Sequence, residues 1–260
     1  MKKEYILFID SGIGGLSTLA ETIKSFNYNY LYFADNKNCP YGNHSKQEIF
    51  SYLKNIIDQL TKKYNFKFVI IACNTATSAA IDKLRTTFNN IIFIGTEPAI
   101  NLASKNGHKK ILSLTTPLTK KLERYKTLKQ KSSSKIKTLS INNLVENIEN
   151  FLFLDSPKNR FNLLKDIFFI CKTAKFYDCI VLGCTHYVLI KPQILEFLDI
   201  KIYDGNEGVS KNLLNLLKEN HIKPLKKSSI KVLLSQKNYG LTKKYEKILS
   251  QTLANFNIMC

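Results

Sequence analysis

The 260-residue chain has no tryptophan and only three arginines, Arg85, Arg124 and Arg160. Twenty acidic residues face 39 basic ones, of which 36 are lysine, and the formal net charge is +19. A basic excess of that size raises the question of nucleic acid. The scarcity of arginine argues against it, because arginine makes the bidentate contacts to phosphates and bases. Plentiful lysine, asparagine, isoleucine, phenylalanine and tyrosine with no tryptophan is what AT-rich codons produce. The charge therefore reads as composition, and its physical consequence is a positive field that draws in anionic substrates. No apolar run is long enough to cross a bilayer. The first run, residues 5–9, stops at Asp10 and is too short for the core of a signal peptide. A cytoplasmic protein with no membrane partner is the expectation. Cys39, Cys73, Cys171, Cys179, Cys184 and Cys260 show no CxxC or other metal spacing, so free thiols and no metal site are expected.

What is present is a chain that can build a sizeable core, 44% of it hydrophobic, over a length suited to one large domain or two ordinary ones. Short apolar runs alternate with helical patterns. Strands are expected near 5–9, 30–33, 68–72, 91–94, 110–114, 136–140, 179–182, 202–203 and 230–234. Helices are expected near 16–25, 46–63, 118–125, 144–154, 159–175, 192–198, 209–220 and 241–256, with a loop or frayed end over 126–135. Ser45 followed by Glu48 is a capping-box pattern. The alternation predicts an α/β fold with mostly parallel sheets. It also starts twice: EYILFIDSG (4–12) and KKILSLTT (109–116) each open a series, and KFVIIACNT (67–75) parallels DCIVLGCTH (178–186). Offsets of about 105 and 111 residues suggest two similar α/β domains.

Two stretches carry the chemistry. FVIIACNTATSAA (68–80) is an apolar run that ends at Cys73, followed by small polar residues and a helical pattern. CIVLGCTH (179–186) delivers Cys184 in the same way. Ligands bind at the carboxyl edge of such sheets, where backbone N–H groups and helix dipoles favour anions and activate thiols. A lone cysteine of this kind is more often core. Two in matching contexts point to a thiol on each face of one substrate carbon, one removing a proton and the other supplying one, which inverts a stereocentre without a cofactor. His186, two residues beyond Cys184, can assist that thiol. Asp10 admits three readings: an aspartic-protease half-site lacking its second half, part of a glycine-rich phosphate turn (Gly12, Gly14, Gly15) without dinucleotide spacing, or a carboxylate that assists Cys73 or holds a substrate ammonium. Ser11, Asn74, Thr75 and Thr185 can hold a carboxylate. A Cys–His hydrolase built on Cys184 and His186 is the chemical rival, and it leaves Cys73 unexplained.

With these residues in place, the chain resembles the glutamate racemases of the aspartate/glutamate racemase superfamily. The pieces are IDSGIGGLSTL (9–19), ADNKNCPYG (34–42), ACNTAT (72–77), Glu97-Pro98 and LGCTHYVL (182–189). The resemblance implies two α/β domains related by a pseudo-twofold axis, with the active site in the cleft between them. Residues 1–95 plus 206–260 would carry Asp10 and Cys73, and 96–205 would carry Cys184 and His186. It implies cofactor-independent racemisation of L- and D-glutamate by two thiols, with D-glutamate feeding peptidoglycan synthesis. Cys73 would take the α-proton of D-glutamate and Cys184 that of L-glutamate, assisted by Asp10 and His186. Asp10, Ser11, Tyr41, Gly42, Asn74, Thr75, Thr185 and His186 would contact substrate. Glu149 matches an accessory acid, with Glu146 nearby as its competitor. The chain departs from the family at Val188, where proline is usual, and at Ile141-Asn142, where Cys-Pro is usual. The expected partners are a small-molecule substrate and a second copy of the chain in a homodimer. Racemisation of aspartate or another acidic amino acid, or a binding protein that keeps the fold, are the alternatives.

Overall fold

The computed structural model describes residues 3–236 and 239–254. Residues 255–256 of the last expected helix, and Cys260, lie outside the described residues. The chain divides into two compact units, Met1–Thr96 with Asn206–Cys260, and Glu97–Gly205.

In the first unit the order is β1 (Glu4–Asp10), α1 (Leu16–Ile23), β2 (Asn29–Ala34), α2 (Lys46–Thr61), β3 (Asn65–Ile71), α3 (Asn74–Thr87) and β4 (Ile92–Gly95). The second unit follows with α4 (Ile100–Lys105), β5 (Lys110–Thr115), α5 (Pro117–Lys121), α6 (Glu123–Gln130), β6 (Lys135–Leu139) and α7 (Leu144–Phe153). It continues through α8 (Pro157–Ala174), β7 (Cys179–Gly183), α9 (Thr185–Val188), α10 (Lys191–Phe197) and β8 (Lys201–Tyr203). The chain then returns to the first unit with α11 (Asn206–Glu219), β9 (Ser229–Leu234) and α12 (Tyr239–Ala254).

Every pairing is parallel, and the sheet orders are β4-β3-β1-β2-β9 and β6-β5-β7-β8. Set aside β9, and both sheets have one order: the first strand lies between the second and the third, with the fourth beyond the third. This is the doubled series that the two sequence offsets suggested. The central strands are buried on both faces, as parallel strands are, which is why they read as unbroken apolar runs. The last five residues of β1 and all of β7 are buried. In the first unit α1 packs against α11 and α12, whereas α2 packs against α3. The chain changes sheet face where β1 gives way to β3, and in the second unit where β5 gives way to β7. These are the topological switch points, where the strand ends part and leave a crevice.

Local chemistry explains the stronger helix starts. Ser45 accepts from the Glu48 backbone while the Glu48 carboxylate accepts from Ser45 N, the full capping box. Thr116 and Ser156 cap α5 and α8, each with proline as the next residue. One expectation needs correcting. The single helix over 118–125 is two helices, α5 and α6, broken at Leu122, which is buried and extended. The polar segment after Tyr125 is helical as far as Gln130. The expectations also missed α4 and α9.

Candidate functional site

Strand register decides which side chains meet at each switch point. In the first unit Ile9 pairs with Ile71 and the Ala72 N–H continues the ladder onto Ile9 O. Ser11 and Cys73, each two residues further on, therefore leave the sheet side by side. Ser11 Oγ lies 3.9 Å from Cys73 Sγ and donates to it. Cys73 is the N-cap of α3, and its sulfur accepts from the Ala76 backbone N–H at 3.5 Å. Negative charge on this sulfur has two donors facing it, at the end of a helix whose dipole favours an anion.

Asp10 ends β1, is fully buried, and accepts from Gly12 N at 2.9 Å. The turn beyond it is tight because Gly15 has no side chain. A Cβ there would stand 2.8 Å from Asp10 Cβ and 2.9 Å from Ala72 Cβ. The glycine thus brings the start of α1 down onto the ends of β1 and β3. Tyr32 Oη adds a bond to Gly12 O at 2.7 Å. Asn74 Nδ2 donates to Thr96 O, and Thr77 Oγ1 to Ile71 O, which ties α3 to the ends of β3 and β4.

Tyr41 and Gly42 lie in a 3-10 turn after a cis Cys39-Pro40 peptide. The buried Tyr41 phenol donates to Asp35 Oδ2 at 2.7 Å, and Asn38 Nδ2 donates to the same carboxylate. Burial pushes the Tyr41 phenol well above its ordinary range, and the charges of Asp35, Cys73 and Asp10 add to that. The phenol stays protonated and remains a donor. Asp35, at the end of β2, is a residue that the sequence reading passed over. It is buried, and it holds the phenol of Tyr41, on which the Cys73 charge acts.

In the second unit Thr115 pairs with Gly183, so Thr116 and Cys184 leave the sheet side by side, as Ser11 and Cys73 do in the first. Gly183 permits the close approach: a Cβ would meet Thr115 Cγ2 at 2.7 Å, the Leu114 carbonyl at 2.9 Å and Pro98 Cγ at 3.1 Å. Pro98 of the Glu-Pro pair thus packs at this strand end, while Glu97 binds Arg124. Cys184 is extended and 6% exposed, and Thr185 onward is a single helical turn. Cys184 and His186 therefore do not share the face of one extended strand.

His186 is 2% exposed, and its Nε2 lies 2.8 Å from Glu149 Oε1 on α7. That is the geometry by which a carboxylate orients an imidazole. Glu146 sits one turn earlier on α7, and its charge acts on Tyr187. Burial pushes the Tyr187 phenol well above its ordinary range, the Cys184 charge adds to that, and His186 pulls the other way. Thr116 and Thr119, hydrogen-bonded to each other at 2.9 Å, complete this strand end. Both were missed, although the 105-residue offset between the two halves lays Thr116 on Ser11. The remaining described cysteines behave differently. Burial pushes Cys179 up to about 12, with the Asp178 charge adding, and burial also raises Cys171. These thiols stay protonated in the core.

A model of the Asp/Glu/Hydantoin racemase family matches residues 18–209. The glutamate racemase of Clostridium botulinum (strain Alaska E43 / Type E3) is 40% identical, over 94% of this chain and 97% of its own length. That of Clostridium novyi (strain NT) is 39% identical, over 89% and 91%. Among solved structures, Escherichia coli glutamate racemase in complex with L-glutamate and the activator UDP-MurNAc-ala superposes with a TM-score of 0.78. It covers 97% of this chain and 96% of that one, at 22% identity.

Proposed function

From its place in the Asp/Glu/Hydantoin racemase family, to which this chain belongs, we propose that it interconverts L- and D-glutamate by proton transfer at Cα between two thiols. The observation that carries the proposal is the matched pair of strand ends. Each unit presents one cysteine at its switch point, beside a hydroxyl in the same register: Ser11 by Cys73, Thr116 by Cys184. A reaction that must remove a proton from one face of a carbon and add one to the other needs two such groups, and it needs no cofactor.

The roles follow. Cys73 takes the α-proton of D-glutamate and Cys184 that of L-glutamate, each returning a proton in the opposite direction. Asp10 assists Cys73, and His186, oriented by Glu149, assists Cys184. The proposal has both thiols reach opposite faces of one carbon. Ser11, Tyr41, Gly42, Asn74, Thr75 and Thr185 hold the substrate's polar groups, with hydroxyls, amides and backbone N–H groups at the sheet ends binding carboxylate. Removing an α-proton places charge on the adjoining carboxylate, so donors fixed before the reaction stabilise the transition state more than the ground state. The +19 net charge favours entry of a substrate with two carboxylates and a net negative charge. Supply of D-glutamate to peptidoglycan synthesis in the cytoplasm, by a homodimer, completes the proposal; light scattering on the purified chain reads the assembly.

The test is polarimetry of the purified chain with L-glutamate and no added cofactor, with L-aspartate run in parallel. Loss of rotation with glutamate supports the proposal. Loss with aspartate alone moves the activity to the shorter acid, and loss with neither removes the racemase reading.

A further inference from the structure

Helix α8 buries one face and leaves the other bare. Leu163, Ile167, Ile170, Cys171 and Ala174 are buried, and the helix packs against α7 and α10. On the outer side Phe161, Phe168 and Phe169 are 51–68% exposed, and Phe176, just past the end, is 76% exposed. Of the eleven exposed large apolar side chains among the described residues, eight fall within 154–197. Codon bias explains a high phenylalanine content, but it does not place exposed phenylalanines together on one helix face. A patch of this kind marks a surface that meets something apolar.

The lysines identify the partner. Phe161, Lys165, Phe168 and Lys172 recur at alternating spacings of four and three, so they form one stripe. Lys158 and Lys175 extend it at the two ends, and all four lysines are exposed. Acidic counter-charge on this face is sparse. Asp155 is held by Arg160, and Asp166 is half-buried and accepts from Asn147 of α7. A second copy laid across this face would set lysines against lysines. An anionic bilayer surface satisfies both residue types. Phenylalanine rings enter the boundary between headgroups and acyl chains, lysine stems lie along it, and the ammonium groups stay among the phosphates. A fluid surface also accepts a convex helix face without a shaped groove. We propose that the outer face of α8 docks this chain peripherally on an anionic lipid bilayer. No described helix is long and apolar enough to cross a membrane, and the docking needs none. The proposal does not depend on the racemase reading.

Because the chain has no tryptophan, Phe168→Trp introduces a single fluorophore on this face. The full chain carrying it is titrated with phosphatidylcholine vesicles, with and without phosphatidylglycerol. A blue shift confined to the phosphatidylglycerol vesicles, and reversed by salt, is expected. Co-sedimentation then compares the wild type with Phe161→Ser/Phe168→Ser and with Lys165→Glu/Lys172→Glu. Binding weaker by at least about thirtyfold for the lysine pair, and by on the order of tenfold or more for the phenylalanine pair, is expected, with unchanged circular dichroism because these side chains are exposed. Three results would overturn the proposal. One is no preference for phosphatidylglycerol. Another is undiminished binding of the phenylalanine pair, which would reduce the effect to bulk charge. The third is a wild-type dimer that the phenylalanine pair turns into a monomer, which would assign the face to a second copy.

Discussion

Replacing Gly15 by alanine tests whether the fold holds Asp10 in place. The added methyl would lie 2.8 Å from Asp10 Cβ and 2.9 Å from Ala72 Cβ, with Tyr32 Oη at 3.0 Å. Carbon atoms pack at about 3.5–4.0 Å, so each contact is short by roughly 0.6 Å or more. Neither Cβ can swing away, because each is fixed to the backbone at the end of a buried strand. The start of α1 must therefore lift off β1 and β3, or Asp10 must shift. Overpacking of this kind costs about 1–3 kcal/mol. In a chain of this size that lowers Tm by about 2–12 °C. A displacement approaching 1 Å at a reacting group reduces turnover by up to about a hundredfold. The assay pairs a thermal melt with racemisation kinetics on one preparation, the expected result being a lower Tm together with a lower kcat. An alanine variant with wild-type Tm and wild-type kcat would refute the view that close approach at Gly15 sets the geometry of Asp10.

Other consequences are as direct. At Gly208, near the start of α11, an added Cβ meets nothing within 4 Å; alanine there should raise stability by roughly 0.5–1 kcal/mol in urea unfolding and leave turnover unchanged. Glu149→Gln removes the carboxylate charge beside His186 and should lower kcat on the order of tenfold or more, while Glu146→Gln should stay within about twofold. Because the enantiomers have equal free energy, kcat/KM must fall equally in both directions, which steady-state assays from each side will check. Burial holds the folded Cys179 thiol up at about 12, above its unfolded value of about 8.5. The unfolded chain therefore releases this proton first, so the contribution is intact below the unfolded value and is lost as pH rises toward the folded one. Melts from neutral to alkaline pH should show the stability gap between wild type and Cys179→Ala narrowing over that window, and a constant gap would contradict the assignment.

What was legible in the sequence was local or repeated. Ser45 and Glu48 lie three residues apart, so the capping box could be read without the fold. Unbroken apolar runs marked β1, β3 and β7 because parallel strands are buried on both faces. The doubling of the series was visible because Cys73 and Cys184 close matching runs. What was not legible depends on distant contacts. Leu122 breaks an apolar period that would otherwise continue, with no glycine or proline to announce it. The helical turns after Tyr125 are mostly polar and at least partly exposed, with Leu128 alone packed on the core, which from composition reads as a loop. Helix α4 begins without a side-chain cap, and α9 is one turn long. Asp35 meets Tyr41 through a loop whose path the composition does not specify. Glu146 and Glu149 sit one turn apart on α7, and tertiary packing alone shows that Glu149 meets His186.

The central claim is that two thiols, not one, move the proton. It is tested most directly by following L-glutamate in D2O by NMR with the wild type, Cys73→Ala and Cys184→Ala. The account predicts that early D-glutamate from the wild type carries deuterium at Cα while unconverted L-glutamate keeps its proton, and that each alanine variant loses racemisation. Early product that retains the substrate's own proton, or either single-thiol variant turning over at the wild-type rate, would contradict it.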